Sequence, residues 1–341
     1  MTYTFFYCII NKYQGDENMY QFDNRFLQSH YAKQERKIIR KSGNIIGGVI
    51  LGAILLVDII GSIAVEIMAA LSEYFIFDQA KTNYVYQIIF SIILFVPPFI
   101  LLARFLGFRT RDLFARKKIP FLSGTAVVAM GFAACIIINI ATSYWVQMLE
   151  SLGLNTEYSS IPGPDTLFDT ILWIFTVSVV PAVVEEFAFR VVVLGSLRRF
   201  SDSFAIFASA LLFGLVHGNL IQIPFAFLVG LVFAYITVIT GSVIPAMFIH
   251  FLNNFNSCVM VLVSNNCSTL TQLLVSYAIM AAILLFGILG MLYAKKKKLL
   301  GKILYKPRCY TSSPMAFGAF CSSPLIIILS GLFLLSSLAL L

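Results

Sequence analysis

The chain has 341 residues, of which 59% are hydrophobic and only 12% are charged. Soluble globular domains carry about 25% charged residues, so this composition excludes an ordinary soluble protein and predicts several membrane spans. The net charge of +8 does not indicate a nucleic-acid partner, because the positive residues cluster in short loops beside apolar segments.

The apolar segments predict an all-α polytopic transmembrane bundle. A helix needs about 20 mainly apolar residues to cross the hydrocarbon of a bilayer. Eight segments are candidates, of which the fifth and sixth are short, and a ninth, Pro324–Leu341, is apolar and barely long enough. The eight predicted spans are Asn44–Leu71, Val85–Leu106, Phe121–Met148, Leu167–Leu197, Ser203–His217, Ile221–Ile239, Val243–Val263 and Leu270–Tyr293.

The loops between the spans alternate in charge. Segments 72–83 and 150–168 carry acidic residues, whereas segments 33–41, 104–118 and 295–298 are strongly basic. Basic loops stay in the cytoplasm under the positive-inside rule. We therefore predict an integral membrane protein whose N-terminus faces the cytoplasm.

Ionisable residues lie inside segments that otherwise read as membrane-spanning. Glu185, Glu186 and Arg190 lie in the fourth span, and two of the three histidines of the chain, His217 and His250, lie in the fifth and seventh. Such a residue at the bilayer centre costs about 2.5–3.5 kcal/mol on insertion scales. We therefore expect the functional site to be in these helices.

Helical spacing indicates which of these residues share a face. Glu186 and Arg190 are four residues apart and can form an ion pair, whereas Glu185 is rotated by about 100° and is freer to face a cavity. Four residues also separate Phe213 from His217, and His250 from Asn254. Pro181 either kinks the fourth span ahead of Glu185 or is one of the prolines common in membrane helices.

These side chains are suited to activating water. A carboxylate beside a neutral imidazole acts as a general base, and Asn254 can donate a hydrogen bond to a developing oxyanion. Imidazole and carboxylate groups also hold zinc, in which case the ligands would be Glu185, His217 and His250. The sequence alone leaves both alternatives open.

Three motifs carry a resemblance to a known family. Glu-Glu-Phe-Ala-Phe-Arg at 185–190 resembles the EExxxR motif of the CAAX protease and bacteriocin-processing family of intramembrane endopeptidases. Phe213 to His217 matches its FxxxH motif, and His250 to Asn254 matches its HxxxN motif. The motifs occur in the family's order on successive predicted helices, and the resemblance covers about residues 167–263.

The resemblance implies a helical core related to the type II CAAX prenyl endopeptidases. It also implies hydrolysis of a peptide or membrane-protein substrate by water, in a bacterial-type plasma membrane. Glu185 would be the principal carboxylate, and His217 would help to activate water. His250 and Asn254 would stabilise the tetrahedral intermediate or help to hold a metal ion. The supporting residues would be Glu186, Arg190 and Phe213.

We divide the chain accordingly into four regions. Residues 1–42 are a cytoplasmic tail, 43–166 are N-terminal transmembrane helices, 167–264 are the catalytic core, and 265–341 hold a transmembrane helix, a basic loop and the extra span. Two other functions stay open. One is a non-catalytic bacteriocin-immunity protein, and the other is an ion-coupled transporter that uses Asp58, Glu185 and the histidines as a relay.

Overall fold

The structure is a computed structural model that describes residues 17–71, 79–108, 119–156, 164, 166–300 and 310–339. Parts of the predicted N-terminal tail and of the basic loop at 104–118 lie outside these residues. In chain order the helices are α1 (Glu17–Leu71), α2 (Gln79–Phe95), α3 (Pro97–Phe105), α4 (Phe121–Ser151), α5 (Leu167–Leu197), α6 (Asp202–Val216), α7 (Ile223–Thr240), α8 (Ile244–Asn266), α9 (Thr269–Lys296), α10 (Ser313–Cys321) and α11 (Pro324–Ala339).

The predicted all-α polytopic bundle is confirmed. Seven helical segments in the described part of the chain are long and apolar enough to cross a membrane, with α2 and α3 forming one of them as Lys81–Phe105. α10 and α11 are bent by 71° at the break between them and become an eighth when they are taken as one broken span. The predicted ninth segment is therefore the second half of this bent pair, and its last two residues lie outside the described residues.

The fifth predicted span is a helix at the predicted position but is too short to cross the hydrocarbon alone, and the first helix begins before its predicted span. The fifth predicted span is α6, whose 15 residues reach about 22 Å against about 30 Å of hydrocarbon. Its start is fixed by Ser201, whose hydroxyl accepts the backbone N–H of Phe204, and its end is followed by Gly218 at φ +62°. α1 begins at Glu17, well before Asn44, because polar residues such as Lys, Gln and Glu are good helix formers and do not end a helix.

α7 and α8 are antiparallel neighbours joined by a tight turn. Gly241 ends α7 in the left-handed conformation at φ +67°, which glycine adopts without steric cost. Pro224 and Pro245 lie in the first turns of α7 and α8, where a missing N–H is tolerated. This turn brings the inner face of α7 beside His250 of α8.

α5 is not a uniform α-helix. π-helical turns at Phe175–Val179 and Phe187–Leu194 flank the α-helical segment Val180–Glu186. Insertions of this kind are frequent at functional sites, because they rotate side chains away from the regular period. Glu185 and Glu186 lie where the α-helical segment meets the second π-helical segment, so their directions depend on this irregularity.

α9 packs very closely on α4 at one end. A Cβ atom added to Gly290 would lie 2.5 Å from the carbonyl oxygen of Ala126. Small residues allow such close approach between membrane helices. Toward the N-terminus of α9 the two helices line a cavity together with α8.

Candidate active site

A buried ion pair joins the second glutamate of α5 to the arginine. Glu186 Oε2 lies 3.1 Å from Arg190 Nε, and both side chains are 0% exposed. The predicted pairing is therefore confirmed. Neither of these two atoms makes an aligned hydrogen bond within the described part of the chain, so the contact is mainly ionic. Such a pair offsets the cost of burying each charge alone.

His250 of α8 lies between the two glutamates. Its Nδ1 is 3.0 Å from Glu186 Oε1, and its Nε2 is 3.9 Å from Glu185 Oε2. An ionised carboxylate only accepts hydrogen bonds, so Nδ1 donates to Glu186. Glu186 therefore fixes the orientation of the ring, and the other ring nitrogen is directed toward Glu185, whose side chain is 17% exposed.

His217 directly follows α6, and the helix end explains its orientation. The backbone N–H of His217 bonds the carbonyl of Gly214 rather than that of Phe213, which leaves the Phe213 carbonyl without its helical donor. His217 Nδ1 fills this place at 2.7 Å. A carbonyl can only accept, so Nδ1 carries the proton and Nε2 keeps its lone pair. His217 interacts electrostatically with Glu185 and His250.

Two phenylalanine rings enclose the arginine. The guanidinium carbon of Arg190 lies 4.2 Å from the ring centre of Phe213 and 5.3 Å from that of Phe233. The Phe213 ring also contacts His217 and His250 edge-on, and Phe233 stacks on His250 at 5.3 Å. These cation–π contacts surround a guanidinium whose Nη1 has no hydrogen-bond partner among the described residues.

Phe233 was missed by sequence reasoning. It belongs to none of the three motifs and is one of many phenylalanines on apolar helices. The tight turn between α7 and α8 placed both helices side by side, but only the structure shows which face of α7 meets His250.

Asn254 contacts α5 through the backbone. Its Nδ2 donates to the carbonyl oxygen of Val177 at 3.1 Å, and its Oδ1 accepts from Asn253 at 3.2 Å. Val177 lies four residues before Pro181, which has no N–H to donate to that carbonyl. The amide of Asn254 therefore donates to a carbonyl whose α-helical donor, four residues on, is missing. Asn254 shares one side of α8 with His250, as predicted, and its amide nitrogen carries a second N–H that this bond does not use.

This contact predicts that the effects of Asn254 and Pro181 on stability are coupled. Asn254→Leu should cost about 1–3 kcal/mol, because the Val177 carbonyl loses its side-chain donor at lipid depth. In a Pro181→Ala background the new N–H can donate to that carbonyl, so the same substitution should cost less by about 1 kcal/mol. Thermal unfolding of the four proteins in one detergent measures this difference.

Asn266→Leu is the matched control for this cycle. Asn266 lies at the exposed end of the same helix and also donates to a backbone carbonyl, that of Leu262. Its loss should have little effect in either background. Additive costs of Asn254→Leu and Pro181→Ala would contradict the coupling.

The zinc alternative gains no support from this arrangement. Among the residues that the structure describes, no three His, Cys, Asp or Glu side chains are arranged to hold a metal ion. The orientations of His217 and His250 are accounted for by Phe213 and Glu186 without a metal. The mechanism below therefore contains no metal step.

Comparison with known proteins identifies this region. Residues 167–256 match the family model described as type II CAAX prenyl endopeptidase Rce1-like. Comparisons with curated proteins and with solved structures found no match. The predicted resemblance to the CAAX protease family is confirmed, and the residues of all three motifs lie inside the matched segment.

Proposed function

Since residues 167–256 match the family model described as type II CAAX prenyl endopeptidase Rce1-like, we propose that this protein hydrolyses peptide bonds within the membrane with water activated by Glu185. The observation that carries the proposal is the convergence of three helices: Glu185 of α5 faces His250 of α8, and His217, directly after α6, contacts the same Phe213 ring as His250 does. A carboxylate with two imidazoles at lipid depth is suited to general-base catalysis.

In the proposed reaction, Glu185 takes a proton from a water molecule. The Nε2 lone pair of His217 accepts a hydrogen bond from the other O–H of that water and so orients it. The resulting hydroxide attacks the carbonyl carbon of the scissile peptide bond, and a tetrahedral oxyanion forms. Protonated His250 and the second N–H of Asn254 donate to this oxyanion. The C–N bond then breaks, and the leaving amine takes the proton from Glu185.

Supporting residues hold this arrangement in place. Glu186 holds His250 through Nδ1, and Arg190 neutralises Glu186 between Phe213 and Phe233.

Asp58, the residue that a transporter relay would add, is exposed on α1. The substrate class that we propose is a peptide or a membrane protein. The basic loops support a cytoplasmic N-terminus, and we place the protein in a bacterial-type plasma membrane.

A direct hydrolysis assay tests this function. The purified protein is placed in lipid vesicles with a defined mixture of synthetic apolar peptides of about twenty residues, in water enriched in ¹⁸O. We expect new peptide ends in which each new carboxylate carries one ¹⁸O atom, read by mass spectrometry. The Glu185→Gln variant should instead keep uncut peptide bound, so that the peptide co-purifies with the protein. Failure of the wild-type protein to cut any peptide would overturn the proposal, and proton flux in the same vesicles would favour a transporter.

A further inference from the structure

A cavity of about 350 Å³ lies between α4, α8 and α9, outside the cluster of motif residues. We call it the α4/α8/α9 groove. Isoleucine and methionine side chains form most of its wall, and each of the three helices also contributes a polar side chain. The lining residues are Ile136, Asn139, Ile140, Asn256, Ser257, Met260, Ser276, Ile279, Met280 and Ile283.

The two asparagines of the groove lack partners. Neither the side-chain amide of Asn139 nor that of Asn256 makes a hydrogen bond to any residue that the structure describes. Asn139 is 12 residues from the end of α4, and Asn256 is 10 residues from the end of α8. These separations are about 18 and 15 Å along the helix axes. At such depth lipid offers no partner, and an unsatisfied amide costs several kcal/mol.

We propose that the α4/α8/α9 groove binds an extended segment of the peptide substrate beside the scissile bond. This inference rests on the proposed function. A chain must unfold locally before it is cut, and each extended residue then exposes one N–H and one C=O group with no water to bond them. An asparagine amide both donates and accepts, so it matches a peptide group. An acyl chain would leave both amides unpaired.

The groove and two of the motif residues, His250 and Asn254, are on the same helix, α8. Ser257 donates to the carbonyl of Asn253, and Asn253 donates to Asn254. Asn256 lies six residues beyond His250, which is about 9 Å along the helix and about 120° around it, or about 13 Å in all. An extended peptide that passes around α8 covers this distance in about four residues at about 3.3 Å each. The groove therefore binds substrate residues about four positions from the bond that is cut.

The walls indicate a broad preference for apolar residues. Methionine side chains are flexible and polarisable, so Met260 and Met280 can pack against different substrate side chains. The hydrogen bonds are made to the peptide backbone and do not depend on sequence. The substrate class is thus a segment rich in apolar residues, without a fixed side-chain motif at this position.

The double variant Asn139→Leu/Asn256→Leu tests the groove with the same peptide mixture in vesicles. We expect KM to rise by about 10- to 30-fold, because two hydrogen bonds to the peptide are lost, while kcat changes by less than about twofold. The thermal midpoint should stay the same or rise, since the amides have no partner in the free protein. Asn265→Leu, at the exposed end of the same helix, is the control and should leave KM unchanged. An unchanged KM in the double variant would overturn the proposal.

Photocrosslinking gives a readout that does not depend on turnover. A benzoylphenylalanine in place of Met280, in the Glu185→Gln background, should attach to the peptides, whereas the same group in place of lipid-facing Phe286, 62% exposed, should attach to lipid. If the wild-type protein cuts peptides but the Met280 probe attaches only to acyl chains, the groove proposal falls and the protease proposal stands. If the wild-type protein cuts no peptide, both fall.

Discussion

Glu185→Gln is expected to abolish peptide hydrolysis and to leave the helical bundle intact. The glutamine keeps the size and shape of the Glu185 side chain. That side chain is 17% exposed and lies 3.9 Å from His250 Nε2. An amide cannot take a proton from water at neutral pH, so the general base is lost. We expect kcat to fall by about 10³-fold or more. The measurement is the rate of peptide cleavage in vesicles at saturating peptide.

His217→Ala should reduce kcat by about 10²- to 10⁴-fold, because the acceptor that orients the water is removed. Glu150→Gln is the control for both variants, since Glu150 is an exposed carboxylate near the end of α4 that bonds Thr156. It should cut at the wild-type rate. Correct insertion of each protein is checked by its thermal midpoint in detergent. Full activity of well-folded Glu185→Gln protein would contradict the glutamate mechanism and would favour an immunity or transport function.

The fold was largely predictable because membrane helices are determined by apolar length. Each of the first eight predicted spans corresponds to a helix of the structure, except the second, which corresponds to α2 and α3 together. The position and length of α6 were predicted within one residue, and the structure adds the cause of its ends, the Ser201 cap and the backbone at Gly218. The start of α1 was missed, because the polar segment before Asn44 is unsuited to lipid but well suited to a helix.

The site was predictable only in part. A spacing of four residues predicts the Glu186–Arg190 pair, because both residues lie on one helix. The contact of Glu186 with His250 joins two helices that are far apart in sequence, and so does the contact of Asn254 with Val177. Such contacts depend on how helices pack. The π-helical turns of α5 also could not be read from the sequence, in which a kink at Pro181 was only one of two open interpretations.

The site therefore consists of two groups of residues, one that should affect mainly the reaction rate and one that should affect mainly stability. In the proposed mechanism Glu185 and His217 act on the attacking water, so their loss should affect rate more than stability. Glu186 and Arg190 are buried charges, and each is stabilised mainly by its ion pair with the other. Substitutions of Glu186 or Arg190 should consequently act first by lowering the free energy of unfolding.

Arg190→Met is expected to cause the largest loss of stability among single substitutions in the site. Methionine fills a similar volume but leaves the 0% exposed carboxylate of Glu186 without its cation. Removing one partner of a buried ion pair costs about 3–5 kcal/mol. The loss is measured as the change in the free energy of unfolding by denaturant in mixed micelles.

The double variant Glu186→Gln/Arg190→Met separates charge burial from packing. Both charges are then absent, and the glutamine oxygen can still accept from His250 Nδ1, so most of the lost stability should return. Arg198→Met is the matched control, because Arg198 and Asp202 form an ion pair with the same spacing, but Arg198 is 25% exposed and Asp202 lies in the first turn of α6. The helix N-terminus continues to stabilise Asp202, so this control should lose at most about 1 kcal/mol. A loss in Arg190→Met no greater than in Arg198→Met would show that Glu186 does not depend on its buried cation. The orientation of His250 would then need another cause.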